Sequence, residues 1–309
     1  MSAWVKDVSG PTPVRIGGVT KLSTVDYPGE LAAVIYVKGC NLRCPYCHNR
    51  ALVEDEGGEI LPSMLMSWLD AQRDRLTAVV ISGGEPLLYE SWVRGFAQQM
   101  HKWGYKVKLD TNCMLMTQSL AQSLQGYVDR IAVDVKAPLE HGVQMSSGVL
   151  TADAWNRYLI LAYNNLAYAN NIGELELRTT VHKSLLSPQD ISIMRTQIAL
   201  SLYCQDRDIA PPWYLQLFRQ ADCFDRSLNE QENYTPKELF DIARSVGAMT
   251  RGCGEYDDES RKLWEGRLHE PEVVPEHGTI TLSPDGRVLG VDRGELMADT
   301  GDMACRSSE

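Results

Sequence analysis

Six apolar, β-branched runs alternate with six amphipathic stretches along this 309-residue chain, and that alternation limits its fold more than any other feature. The runs lie at 31–37 (LAAVIYV), 78–82, 106–110, 130–135, 175–181 and 213–218, and the spacing predicts a strand for each. The stretches near 63–71, 92–103, 118–124, 152–169, 188–200 and 236–245 read as helices. Parallel strands need a long crossover between them, usually a helix, so the pattern calls for βαβ units in an α/β protein. Six units fit a partial (β/α)6 barrel better than a closed eightfold one. Ligands in such folds collect at the carboxyl ends of the strands.

We expect one core domain over residues 1–255 and a small acidic extension over 256–309. In the extension, residues 279–291 read as a hairpin about Pro284-Asp285-Gly286, and the end of the chain reads as disordered. The net charge of −11 argues against a nucleic-acid or anionic-membrane partner. Much of that charge is local, because residues 254–309 hold 14 acidic against 6 basic side chains. The first residues lack an apolar h-region, and no stretch approaches the ~18 apolar residues of a membrane span, so a cytoplasmic location is expected.

Directly after the first run comes GCNLRCPYCHN, with Cys40, Cys44 and Cys47 in a C-x3-C-x2-C spacing. Three soft ligands so close suit one iron–sulfur cluster and leave one coordination position open. A zinc site is the competing reading, with the adjacent His48 as a fourth ligand. Inert packing is a poor account of three thiols on a polar loop. The cluster of cysteines fits a reducing compartment and a metal site rather than a disulfide framework.

The second run ends in Ser82-Gly83-Gly84-Glu85-Pro86. Paired glycines let a backbone approach a ligand closely, and a carboxylate beyond them can pair with an ammonium group. A tight strand-to-helix turn would explain the same residues. Asp110 and Asp134 fall at the carboxyl ends of two further expected strands. Their plainer reading is as turn residues, with Lys136 available as a same-face partner for Asp134.

The cysteine trio, Tyr46 before its last Cys, and GGEP some 35 residues on together resemble the radical S-adenosylmethionine (radical SAM) enzymes. LSTVDYPG (22–29), SGGEPLL, KLDTN (108–112) and VDVKAP (133–138) narrow the resemblance to the activating enzymes of glycyl-radical enzymes. The pattern is closest to the activator of anaerobic ribonucleoside-triphosphate reductase, with the pyruvate formate-lyase activators as relatives, and covers roughly residues 15–255. The resemblance implies a radical SAM barrel that cleaves S-adenosylmethionine reductively at a [4Fe–4S] cluster and places a radical on a partner's glycine. It implies cluster ligation by Cys40, Cys44 and Cys47. It implies cofactor contacts from Gly83, Gly84 and Glu85, and from Arg178 and His182 at the fifth strand end. Asp110, Thr111 and Asp134 match positions that hold a monovalent cation beside the cofactor in the lyase activator. Asp26 matches a loop that faces the target glycine, and the electron donor would be a flavodoxin or ferredoxin.

Cys113 stands where this pattern usually has Gly and reads as a tolerated small replacement. Cys204, Cys223, Cys253 and Cys305 lack any short C-x2-C pair, so a second cluster is not expected. Two other functions compete: a radical SAM enzyme acting on a small molecule or peptide, and a metal-bound redox regulator that leaves GGEP without a role.

Overall fold

The computed structural model describes residues 13–139, 152–202, 210–251, 253–267, 279–282 and 288–292. Its centre is one eight-stranded sheet in strict sequence order: β1 (Ile16–Ser23), β2 (Ala32–Val37), β3 (Ala78–Gly83), β4 (Lys106–Thr111), β5 (Arg130–Asp134), β6 (Glu174–Val181), β7 (Trp213–Leu217) and β8 (Met249–Arg251). Strands β2 to β8 are parallel, and β1 pairs antiparallel with β2. The ends β1 and β8 do not pair, so the sheet is an open partial barrel.

Helices α1 (Arg50–Val53), α2 (Pro62–Asp70), α3 (Glu90–Lys102), α4 (Gln118–Leu124), α5 (Ala152–Asn170), α6 (Pro188–Leu202), α7 (Pro236–Ser245) and α8 (Glu255–Arg267) complete the described body. They start from legible signals. Pro62 and Pro236 sit in first turns, where a missing N–H costs nothing. Thr235 and Glu238 form a reciprocal capping box at α7.

The side-chain alternation of the strands separates two faces. Ala33, Ile35, Val79, Ile81, Val107, Leu109, Ile131, Val133 and Leu177 join the large core that includes Leu69, Phe96, Leu120 and Trp155 from the helices. The other face is different in kind. On β2 and β3 it presents the small set Ala32, Val34, Ala78 and Val80, covered by Tyr27. From β4 onward the in-phase positions are Lys108, Asp110, Asp134, Glu176 and Arg178. With the helices on one side, this polar face is the inside of the open barrel.

All six expected strands are present within a residue or so of their predicted ends. Two strands were not foreseen. Strand β1 carries Gly17 and Gly18 and is mostly part-exposed, so its stability comes from pairing with β2 rather than from its own pattern. Strand β8 has only three residues. Helix α8 begins at the expected domain boundary, yet it is tied to β8: the Thr250 amide donates to Ser260 Oγ at 3.0 Å, and Tyr256 packs on Phe240. Beyond it, β9 (Thr279–Leu282) and β10 (Val288–Asp292) pair antiparallel, as the expected hairpin requires, while its Pro-Asp-Gly turn lies outside the described residues.

Candidate active site

The Cys loop leaves β2 at the carboxyl end of the barrel, and its packing explains the glycines around it. Gly83 has φ +119°, a value that favours glycine, and a Cβ there would sit 2.3 Å from the Val37 amide nitrogen. A Cβ on Gly84 would lie 1.8 Å from the Gly39 carbonyl oxygen. The two backbones are bonded instead: Gly84 N donates to Val37 O at 2.9 Å, and Glu85 N to Gly39 O at 2.8 Å. The close approach expected of these glycines is therefore made to the residues just before Cys40. Asn49 closes the other side by donating to Gly83 O at 3.0 Å.

Glu85 is 1% exposed, and its carboxylate points into the protein. It accepts from Thr111 Oγ1 at 2.6 Å, Asn112 N at 2.8 Å and Leu87 N at 3.0 Å. Burial pushes its pKa up to about 7, against the pull of those three donors. Oε2 holds only one of these bonds and retains a lone pair for a cationic group. Asn112 also donates to Asn41 Oδ1 at 2.7 Å, which links the end of β4 to the Cys loop. Thr111 is thus committed to Glu85 rather than to Asp110. Cys113 follows in the left-handed region at φ +61° and is fully buried, which accounts for the glycine usual at this position.

The ends of β4, β5 and β6 form one charged network. Arg178 donates from Nε to Asp134 Oδ1 at 2.8 Å and from Nη1 to Asp110 Oδ2 at 3.2 Å. Its guanidinium bridges the two carboxylates. Lys136 pairs with Asp134 Oδ2 at 3.1 Å. Burial works against the Asp134 charge, but Arg178 and Lys136 outweigh it and hold the carboxyl at about 2. Asp110 Oδ1 is buried without a hydrogen bond, with the Lys108 ammonium 3.8 Å away. A cleft beside the network is lined by Met114, Asp134, Lys136 and Tyr163.

The remaining expected residues stand apart. Asp26 lies in the β1–β2 turn, at the amino ends of the parallel strands and opposite the Cys loop. Its carboxylate accepts from Ser23 Oγ at 2.5 Å, and its carbonyl accepts from Lys108 Nζ at 2.9 Å. His182 is fully buried, with Nε2 3.1 Å from Leu228 O and Nδ1 2.8 Å from Ser184 Oγ. Burial lowers its pKa, and both ring nitrogens are engaged within the protein.

Residues after β7 hold the Cys loop from outside. Asp225 N donates to Pro45 O at 3.0 Å, His48 Nε2 lies 3.0 Å from Arg219 O, and Arg50 pairs with Asp222. Sequence reading missed this clasp, whose partners lie more than 170 positions apart. Its one available signal is the polar segment itself. Asn112 lies inside KLDTN without an expected role of its own, whereas Lys136 pairs with Asp134 as the plainer reading of that aspartate expected.

The donor set can be tested against the groups it would hold. Among the described residues, no three His, Cys, Asp or Glu side chains are placed to hold a single metal ion. A zinc site needs such convergence, whereas a cluster spreads its thiolates over separate irons. His48 Nε2, the fourth-ligand candidate, is at the Arg219 carbonyl instead. Burial raises Cys40 to about 12 and Cys44 to about 11, so these thiols become ligands only where a strong positive centre displaces their protons. The trio fits a cluster. Cys223 and Cys253 are buried, and Cys204 and Cys305 lie outside the described residues.

An open α/β barrel with three cysteines on its first strand-end loop defines a class, and comparison with known proteins agrees. The sequence pattern of the radical SAM superfamily matches residues 34–159. Solved structures share the fold: SuiB of Streptococcus suis (TM-score 0.50, 14% identity, covering 70% of this chain and 48% of SuiB) and TYW1 with a lysine-pyruvate adduct (TM-score 0.50, 15% identity, 70% and 72%). Residues 34–159 thus carry the pattern of a class of enzymes that use a [4Fe–4S] cluster and S-adenosylmethionine.

Within that class the chain is homologous to activating enzymes of glycyl-radical enzymes. A Methanocaldococcus jannaschii protein carrying that name provisionally is 28% identical over 236 residues, 74% of this chain and 90% of its own length. The pyruvate formate-lyase-activating enzyme of Staphylococcus aureus is 32% identical over 138 residues, 40% of this chain and about half (53%) of that enzyme. No helix among the described residues is long and apolar enough to cross a membrane.

Proposed function

We propose that this protein activates a glycyl-radical enzyme, and that its partner is an anaerobic ribonucleoside-triphosphate reductase. The observation that carries the first part is the open inner face. Strands β1 and β8 do not pair with each other, and the walls at β2 and β3 carry Ala32, Val34, Ala78 and Val80. A loop of a folded partner needs such a side entrance and such small wall residues. The choice of reductase rests on the run of segments from LSTVDYPG to VDVKAP.

Bound together, the [4Fe–4S] cluster and S-adenosylmethionine supply, on one-electron reduction, a carbon radical able to take a hydrogen atom from glycine. Cys40, Cys44 and Cys47 hold the cluster. Gly83, Gly84 and Glu85 form the wall for the methionyl end, and the free lone pair of Glu85 Oε2 suits its ammonium group. Arg178, Asp110 and Asp134 line the same strand ends, where Arg178 supplies fixed positive charge between the carboxylates. A monovalent cation there would have to share Asp110 and Asp134 with Arg178. Asp26 and the VDYPG turn close the base of the barrel through the Lys108–Asp26 bond, and we assign this turn to the partner's glycine loop rather than to the cofactor.

A small-molecule substrate is less well supported, because it calls for unpaired polar groups on the inner face. There Lys108 pairs with Glu176, and Asp134 with Arg178 and Lys136, which leaves Asp110 Oδ1 as a buried oxygen without a hydrogen bond.

The test is anaerobic reconstitution and reduction, followed by assay of 5′-deoxyadenosine and electron paramagnetic resonance of the candidate reductase. Deoxyadenosine together with a glycyl-radical signal on the reductase is the expected result. Deoxyadenosine without that signal overturns the choice of partner, and no deoxyadenosine under any reductant overturns the activase reading.

A further inference from the structure

Lys136 stands where the strand-end network meets the Cys loop. Its ammonium is 3.1 Å from Asp134 Oδ2, and its side chain is only 13% exposed. On its other side lies Tyr46, with the ring centroid 5.8 Å from Nζ, within reach of a cation–π contact. Tyr46 sits between Cys44 and Cys47 in sequence and is buried. Lys136 thus brings a positive charge to the loop that carries the three cysteines. Two other cations lie near the loop. Arg43 donates to the Cys40 and Leu42 carbonyls, and Arg178 is held by Asp110 and Asp134.

We infer that Lys136, packed between Asp134 and the Tyr46 ring, is a positioning charge that sets the reduction potential of the cluster on the Cys40–Cys44–Cys47 loop. The inference rests on the cluster reading above. A cluster with three thiolate ligands gains negative charge when an external low-potential donor delivers one electron. A fixed cation in a poorly hydrated setting stabilises the more negative state more, so it raises the potential. Asp134 acts with the opposite sign, since it is the negative charge paired with Lys136 at 3.1 Å. The Asp134–Lys136 pair thus places a cation toward the loop and its counter-charge one step behind.

The experiment is a redox titration of the anaerobically reconstituted full-length protein without S-adenosylmethionine. The reduced cluster is followed by electron paramagnetic resonance, and iron and sulfide are counted per chain. Lys136→Met is expected to move the midpoint to a more negative value, Lys136→Arg to leave it near wild type, and Asp134→Asn to move it to a more positive value. A merely structural role would not give opposite shifts from neighbouring residues. An unchanged midpoint in Lys136→Met at full iron loading overturns the inference. Should that variant fail to hold a cluster, Asp134→Asn decides, and an unchanged or more negative midpoint there is equally fatal. A wild-type protein that retains no iron and sulfide overturns the cluster reading itself.

Discussion

In the proposed function Glu85 serves both the fold and the cofactor. Its pKa of about 7 lies above the ordinary 4.5, so the fold favours the neutral acid. The ligand-free protein should therefore lose stability as pH rises from about 4.5 to about 7 and keep that loss above it. At 1.36 kcal/mol per pKa unit the loss is about 3 kcal/mol. Thermal denaturation between pH 5 and 8 checks this, and Glu85→Gln should flatten the slope. An ammonium group on Oε2 favours the ionised form, so S-adenosylmethionine should bind more tightly at pH 7.5 than at pH 6. Gly84 allows a sharper expectation. Alanine there would place its Cβ 1.8 Å from a backbone oxygen, which only a shift of the Cys loop can relieve. We expect Gly84→Ala to cost more than about 3 kcal/mol in chemical denaturation and to lower the iron content after reconstitution.

At the scale of elements, Arg178 ties the ends of β4, β5 and β6 together. Removing a buried cation from between two carboxylates costs roughly 3–5 kcal/mol, because the remaining charges are left unpaired. Arg178→Met should show that loss in chemical denaturation, and Asp110→Asn in the same chain should restore part of it. By contrast, Thr235→Ala removes only the α7 capping box and should lower stability by about 1 kcal/mol without changing cofactor binding. Elements also divide by how readable they were. Strands β2 and β3 are continuous apolar runs, and β4 to β7 keep apolar residues in phase on the helix side, patterns that announce themselves. Strand β1 has glycines and part-exposed residues, β8 is three residues long, and α8 is strongly polar, so each depends on what it packs against.

At the scale of the whole molecule, the open sheet separates a cofactor end from a base. Cys40, Cys44, Cys47, Glu85, Asp110, Asp134 and Arg178 gather at the carboxyl ends of the strands, whereas Asp26 closes the amino ends. The same openness sets the pattern of protection expected in hydrogen exchange. Amides of β3, β4 and β5, flanked by strands on both sides, should exchange most slowly, and those of the edges β1 and β8 soonest. Equal protection across all eight strands would contradict an open barrel.

The chain's own order of residues determined the alternation of strands and helices, the soft-ligand loop, and the placing of GGEP and two aspartates at strand ends. These are local patterns, and local propensity and spacing suffice to read them. Only the tertiary structure decided where the side chains turn. It buried the Glu85 carboxylate against Thr111 and Asn112, set Arg178 between Asp110 and Asp134, and engaged both nitrogens of His182. It brought Asp225 to Pro45 and Lys136 to Tyr46. These pairings depend on which strands become neighbours and on hydrogen bonds that buried polar groups must find. No periodicity in the sequence encodes a contact across 170 residues.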